Sequence, residues 1–534
     1  MRPDPAALPP RWLAAALGVL STAAGLGVAH LVAAVTVPAA SPLLAVGSVA
    51  IDAAPTPVKE WAVRSFGTAD KPILLGGIAA VLVLVTAVLG IVASRRRWVG
   101  IVGLLALGGI AGAAAAARSP EIVAWLPAVV AAEVAVALLV VLLRAAAPAP
   151  RSAAGVESGS GRSPATPLDG PHVRAGRLRP RRRGVLLGGP ALLAAVGVGG
   201  GTLVSQLRTS DAAVGRDQQL PQPADPAQPL PDDVQIDLDG VTPFVTPLPD
   251  FYRVDIALTT PRLDASTWSL PIEGMVERPL TLSYADLLER PLVERWITLS
   301  CVSNPIGGPY VSTGRWLGIP LADLLDEVGV QPGAEQLFAE GADGFSCSIP
   351  LETVRDGRDA LLVVGINGEQ LPLERGFPAR LVVPGLFGFV SAAKWLTGLR
   401  VSTYEEDVAY WTERGWATEA PVLTQTRIDV PSALASVPAG EVTIAGMAWA
   451  QHRGIERVEV SIDGGDWQEA ELAADAGPDL WRAWSHRWNS TGAGRHDVQV
   501  RSTDGTGETQ PEERTEPFPD GARGWHSIAF MVEG

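Results

Sequence analysis

Lysine, cysteine and histidine are scarce in this chain. Of 534 residues only three are lysine (Lys59, Lys71 and Lys394), two are cysteine (Cys301 and Cys347) and six are histidine. Two cysteines are too few for the disulfide framework of a small secreted scaffold. No Cys-x-x-Cys-His run occurs, so the c-type haem attachment motif is missing. Neither G-x-G-x-x-G nor a P-loop pattern occurs, which removes the two common nucleotide fingerprints. The long apolar runs contain one histidine, His30. A haem held between two histidines needs a second, so no haem is expected there.

What is abundant is apolar. Hydrophobic residues make up 47% of the chain, high for a soluble protein, and they are unevenly spread. Charge is uneven too. Residues 1–207 carry a net +10 and residues 208–534 about −25. So acidic a second part argues against a nucleic-acid partner.

Five apolar segments, residues 12–37, 73–93, 98–117, 122–143 and 184–204, approach or exceed the ~20 residues that span a bilayer. A shorter run, 42–51, reads as interfacial or re-entrant. Arg2 and Arg11, then Arg95 to Arg97, then the arginines of the loop after Arg144 all fall on one side if the helices alternate. Positive charge marks the cytoplasmic side. Residues after the fifth helix then lie outside, on a multi-pass cell-membrane protein. Glu133 stands mid-helix in the fourth segment, where an ionisable group usually faces the bundle interior. The loop 145–183 is rich in Pro, Gly, Ser and Arg and reads as a disordered cytoplasmic linker. It ends at Arg181, Arg182 and Arg183, either an ordinary positive flank or an internal twin-arginine export signal.

The expected organisation is a membrane domain at 1–207, an extended Pro/Asp/Gln-rich linker at 208–248, an α+β domain at 249–405 and an all-β domain at 406–534. Strands and short helices mix without a regular βαβ period in the third of these. Ser283 carries a helix start signal. Beyond Arg400, short strands with turns at Asp463-Gly464 and Asp504-Gly505 suggest an immunoglobulin-like sandwich.

One stretch organises the rest. Residues 296–316 read WITLSCVSNPIGGPYVSTGRW. An apolar strand-like run ends in Cys301, and a Pro/Gly-rich loop with free backbone N–H groups follows. Buried cysteines usually just pack, and a Cys301–Cys347 disulfide is a second plain reading. The surroundings favour chemistry. The stretch resembles the metal-ligand loop of the sulfite oxidase family of molybdopterin enzymes. Residues 376–396, GFPARLVVPGLFGFVSAAKWL, resemble that family's pterin-phosphate segment. Residues 446–449, GMAW, and 458–467, VEVSIDGGDW, resemble its C-terminal immunoglobulin-like dimerisation domain.

That resemblance implies a molybdenum–molybdopterin cofactor, with the Cys301 thiolate as metal ligand. It implies cofactor contacts from Arg253, Asp255, Asn304, Arg375, Arg380, Ser391 and Lys394. Arg315 matches an arginine of the family's anion pocket, and Arg453 loosely matches one from the C-terminal domain. Lys394 is also informative alone: an arginine-rich chain keeps a compact ammonium there, between Ala393 and Trp395. The implied partners are a small-molecule substrate, a separate electron-transfer protein and a second copy of the chain. A cofactor loaded in the cytoplasm would also give the twin-arginine reading its reason.

Arg253 and Asp255 stand where the family often has an Arg-Asn-His cluster, and Arg375 where it often has a histidine; two further departures bear on the substrate. Asn304 is followed by Pro305 rather than arginine, and Val364 stands at the place of a substrate-site tyrosine. The first expectation is therefore oxygen-atom transfer on a small sulfur or nitrogen compound. Reduction of an S- or N-oxide is the alternative within the family. Outside enzymes, the alternative is a metal-free, membrane-tethered binding module.

Overall fold

A computed structural model describes residues 8–55, 58, 61–62, 66, 69–118, 122–146, 180–211, 219–490 and 492–534. Most of the loop read as a cytoplasmic linker, residues 147–179, lies outside the described residues, as do 212–218. The chain divides into two compact units, Met1–Asp211 and Ala212–Gly534.

The first unit is helical: α1 (Arg11–Val35), α2 (Pro42–Ala53), α3 (Asp70–Arg95), α4 (Arg97–Ala116), α5 (Leu126–Ala146) and α6 (Pro180–Asp211). Among the described residues five helices are long and apolar enough to cross a membrane, and α2, at 12 residues, is shorter. Helix α1 packs against α3, α5 and α6. Gly18 of α1 and Gly90 of α3 bring their backbones so close that neither position has room for a Cβ. Small residues at such crossings let helices gain close van der Waals contact. Glu133 corrects the sequence expectation. It is exposed on the outer side of α5, in line with exposed Val129 and Val141, rather than facing the other helices.

In the second unit, residues 219–248 form no regular element, but much of this stretch is pinned down. Asp225 bridges to Val293, Trp296 Nε1 donates to the Gln228 carbonyl at 3.1 Å, and Phe244 is 3% exposed. The Pro-rich composition gave an extended path, and apolar residues spaced along it fasten that path to the core.

The elements that follow are β1 (Ser269–Gly274), β2 (Leu280–Ser283), α7 (Tyr284–Glu289), β3 (Val293–Ser300), β4 (Val311–Pro320), α8 (Leu321–Val328), β5 (Gln336–Gly341), β6 (Ser346–Pro350), α9 (Leu351–Arg355), β7 (Leu361–Ile366), β8 (Glu369–Gln370), β9 (Arg380–Val382), α10 (Gly388–Ser391) and β10 (Leu396–Ser402). Ser283 caps α7 with a full capping box to Asp286, as its sequence signal suggested. One sheet runs β3-β4-β7-β8 with β9 on β7, and the other runs β2-β1-β10-β5-β6. All six residues of β7 are buried, which suits a strand covered on both faces.

The C-terminal part is β-rich: β11 (Gln425–Val430), β12 (Ser436–Val437), β13 (Glu441–Trp449), β14 (Ile455–Ile462), β15 (Gln468–Glu469), β16 (Glu471–Leu472), β17 (Arg482–Asn489), β18 (Gly494–Asp504) and β19 (His526–Val532). They form two sheets, β11-β13-β17-β16 and β12-β19-β18-β14-β15. Ile444 and Trp484 from the first share one core with Val458, Val500 and Phe530 from the second.

Candidate active site

Cys301 follows the last residue of β3 and begins a tight loop to β4. Its N–H donates to the Tyr310 carbonyl at 2.9 Å, closing the loop at its base. The Asn304 N–H donates to the Cys301 carbonyl at 3.0 Å, and Asn304 Oδ1 accepts from the Tyr310 N–H at 2.8 Å. Asn304 Nδ2 is buried without a hydrogen-bond partner. A buried orphan donor costs about 1–3 kcal/mol, so it is a place where a ligand would be welcome.

The thiol is 8% exposed. Burial pushes its pKa up, against the lowering effects of hydrogen bonds from Ser303 and the charge of Lys394. A metal would be needed to hold it as thiolate. Cys347 is buried within β6, and both cysteines are free thiols. The disulfide considered from the sequence is therefore not formed: Cys301 begins the loop after β3 of one sheet, and Cys347 lies in β6 of the other.

Three cations from the 375–394 segment gather nearby. Arg375 donates to the Tyr252 and Leu248 carbonyls at 2.7 and 2.9 Å. Arg380, 6% exposed, donates to the Leu381 and Arg375 carbonyls and lies over the Trp316 ring at 5.1 Å. Among the described residues neither guanidinium has a carboxylate within ion-pair distance. Burial, helped by the charge of Arg375 and opposed by Tyr252, brings Arg380 down to about 10. Lys394 Nζ sits 2.9 Å from Asp255 Oδ2 and 4.5 Å from the Trp395 ring centroid, and burial brings it down to about 8. Arg253 Nε also donates to Asp255 Oδ2, at 2.8 Å. Gly376, at φ 111°, makes the cluster possible, since a Cβ there would press on the Arg380 and Lys394 side chains at 3.1 Å.

Tyr252 completes the set. A Cβ added at Gly388 would lie 3.7 Å from the Tyr252 hydroxyl and 3.9 Å from the Ser300 carbonyl, so α10 runs beside the cysteine. Ser391 of α10 is fully buried, and its hydroxyl donates to the Phe387 carbonyl at 3.0 Å. Burial, then the neighbouring Cys301, push the Tyr252 phenol far above its ordinary pKa.

Cys301, Asn304, Arg253, Asp255, Arg375, Arg380, Ser391 and Lys394 thus share one neighbourhood. Two other candidates do not join it. Arg315 pairs with Trp296 in the β3–β4 register, five residues back from Cys301, about 17 Å at ~3.3 Å per residue. Its Nε lies 3.1 Å from Glu294 and its guanidinium stacks on Trp296. Arg453 donates to Asp504 at 2.8 Å, to the Val422 carbonyl at 2.9 Å and to Thr424 at 3.0 Å, which ties down its guanidinium. Sequence reasoning passed over Tyr252, although it adjoins Arg253, and Trp316, which positions Arg380.

The cluster carries more buried positive than negative charge, and buried charge is costly unless paired. With a thiol, two unpaired guanidiniums, a buried ammonium and an orphan amide, it fits an anionic cofactor that brings its own metal. Residues 257–411 match the family described as oxidoreductase molybdopterin binding domain, and residues 421–518 the Mo-co oxidoreductase dimerisation domain. Both matches are to domains of molybdopterin oxidoreductases.

Mitochondrial sulfite oxidase of Mus musculus is 33% identical over 290 residues, 45% of this chain and 52% of that protein. An NADH nitrate reductase of Brassica napus is 28% identical over 332 residues, 50% of this chain and 36% of that protein. The crystal structure of the sulfane dehydrogenase SoxCD from Paracoccus pantotrophus aligns with a TM-score of 0.45 at 28% identity, over 52% of this chain and 80% of that one. The chain spans about half the length of the sulfite oxidase it matches. The matched stretches, residues 257–411 and 421–518, are thus similar to the molybdopterin-binding and dimerisation domains of such enzymes.

Proposed function

We propose that this chain is a membrane-anchored molybdenum-cofactor oxidoreductase that moves one oxygen atom to or from a small sulfur or nitrogen compound. The observation that carries this reading is one buried thiol, Cys301, beside two buried guanidiniums, Arg375 and Arg380, that have no carboxylate within ion-pair distance among the described residues. Cys301 is the proposed metal ligand. Arg380, Lys394 and Arg375 would hold the pterin phosphate, with Ser391, Asn304, Arg253 and Asp255 lining its path. When bound, the cofactor supplies oxygen exchange and two-electron storage at the metal. The protein supplies position, charge and exclusion of water. Among the described residues no three of His, Cys, Asp and Glu converge as a metal cage, so the fit is to a metal whose other ligands come with the cofactor.

Arg315 is proposed as a support for the β3–β4 strands and Arg453 as a support for the loop after β13, because their guanidiniums are engaged elsewhere. Val364 is fully buried in β7 and offers the substrate no phenol. That departure favours a second reading, reduction of an S- or N-oxide or another small oxyanion, in line with the nitrate reductase among the relatives.

The five apolar helices are proposed to span the membrane, with the boundaries 1–207, 208–248, 249–405 and 406–534 dividing the chain. Asp52, in the last turn of α2, forms an ion pair with Arg118, after α4, as expected if both ends share the outer side. The catalytic unit then lies on the extracytoplasmic side. The two-sheet C-terminal part is read as an immunoglobulin-like sandwich serving a homodimer, and electrons pass to a separate partner.

Metal analysis of purified protein, wild type beside Cys301→Ser, tests the reading. About one molybdenum per chain, with lost activity or an altered metal spectrum in the variant, supports it. Wild type made without molybdenum in a host that inserts the cofactor removes it.

A further inference from the structure

Three consecutive residues at the tip of the cysteine loop are each met by a different piece of the C-terminal part. Ile306 packs on Gly524, where an added Cβ would come within 3.0 Å of Ile306 Cδ1. Gly307, at φ +73°, lies flat against the His526 ring, with no room for a Cβ between them. The Gly308 carbonyl accepts from Arg427 Nη1 at 2.8 Å.

Arg427 is built for this task. It is 8% exposed, its Nε donates to Asp429 Oδ1 at 2.6 Å and its Nη2 to Thr242 Oγ1 at 2.8 Å. Asp429 Oδ2 in turn accepts from the Thr242 N–H at 3.0 Å. The guanidinium is therefore oriented from both sides before it reaches Gly308. His526 is fixed as well: Nδ1 accepts from the Ile428 N–H at 3.0 Å, so the neutral ring turns its Nε2–H toward Gly307. The loop's own bonds close its base, from Cys301 to Tyr310, and brace Gly308 N–H on the Pro305 carbonyl at 2.8 Å. The tip is gripped from outside by β11, β19 and the turn before β19.

We infer that the C-terminal part is a positioning clamp for Cys301, with Arg427 as its central positioning residue acting through Gly308. This gives residues 421–534 a role in the site beyond joining two copies of the chain. A thiol on an unclamped Pro/Gly loop samples many positions, whereas a metal ligand must hold one. The consequence for a metal rests on the proposed role of Cys301; the clamp itself does not.

The chain's two cysteines supply the test. Cys301 reports the loop, and Cys347, fully buried in β6, reports opening of the core. The full-length, metal-free protein is alkylated with a maleimide and each site is read by peptide mass spectrometry. Arg427→Met should speed Cys301 by about tenfold, the scale of losing one charge-assisted hydrogen bond, with Cys347 unchanged. Arg427→Lys, which keeps one donor, should fall between. His526→Ala leaves the Arg427–Asp429 pair intact and should give the same selective rise, so the test survives if an Arg427 variant does not fold. Unchanged Cys301 rates, or Cys301 and Cys347 rising together in His526→Ala, overturn the inference. A molybdenum assay on the wild type judges the functional reading separately. If metal is present, Arg427→Lys should also shift its electron paramagnetic resonance spectrum.

Discussion

Lys394 and Asp255 form a buried ion pair, Nζ to Oδ2 at 2.9 Å, with side chains 11% and 2% exposed. The pair does not hold the lysine at its ordinary pKa, because burial outweighs Asp255 and leaves Lys394 at about 8. Two opposite pH effects follow. Between about 8 and 10.5 the folded chain binds fewer protons here than the unfolded one, so the cofactor-free protein gains stability from this group as pH rises. Anion binding runs the other way, since the ammonium is present below about 8 and lost above it. Inorganic pyrophosphate, as a probe of this cation cluster in the cofactor-free protein, should bind best below pH 8 and weaken through it. Asp255→Asn should move that midpoint lower. Pyrophosphate affinity that is flat from pH 7 to 9.5 would sink this assignment.

Arg380 gives a sharper contrast between stability and function. Its buried guanidinium lies over Trp316 and bonds only to carbonyls. A buried charge without a carboxylate partner is costly to keep in the fold. Arg380→Met should therefore leave the cofactor-free protein as stable as wild type or more so, while cofactor content falls by at least about tenfold. Denaturant melts and metal analysis on the same preparations check both halves. A variant that is destabilised yet keeps its cofactor would make Arg380 a structural residue.

His526 predicts acid sensitivity. Burial, with the charges of Arg427 and Arg514, pushes it down to about 4, while Asp429 opposes them. A histidine with a lowered folded pKa is neutral in the native state and protonates first in the unfolded chain. Its contribution is complete above about 6.5 and is lost as pH falls toward 4, on the order of 3 kcal/mol at most. Carboxylates titrate in the same range, so the difference from His526→Gln isolates the group. The variant keeps an acceptor for the Ile428 N–H and should show a shallower loss of urea stability between pH 6.5 and 4. Parallel curves for the two proteins would count against it.

Much of this site was legible along the sequence because its parts are local. Cys301 and Asn304 lie in one loop, and Arg375, Arg380, Ser391 and Lys394 within one run of 20 residues. Arg315 is close to the cysteine loop in sequence but about 17 Å along the strand from Cys301 at ~3.3 Å per residue. The hairpin register carries it away from Cys301 along β4, where Glu294 and Trp296 hold it. Arg427 and His526 left no signal at all. They reach Gly308 and Gly307 across separations of 119 and 219 residues, set by how two sheets pack against a loop. Glu133 was placed inward from the general cost of membrane carboxylates, and only the packing of α5 shows it outside.

The arrangement of helices yields a last prediction. Arg95 and Arg97 flank the short turn between α3 and α4, and positive clusters of this kind stay in the cytoplasm. Asp52 and Arg118, joined in an ion pair, then mark the outer face. The first unit contains no cysteine, and the two in the second unit are buried, so an introduced thiol stands out against them. In intact cells a membrane-impermeant maleimide should label Ala117→Cys readily. It should label Ser94→Cys only after the membrane is permeabilised. An odd number of crossings separates the α3–α4 turn from the second unit, so the reverse pattern would put Cys301 in the cytoplasm. Export of a folded, loaded domain would then be unnecessary, and Arg181 to Arg183 would reduce to an ordinary charged flank.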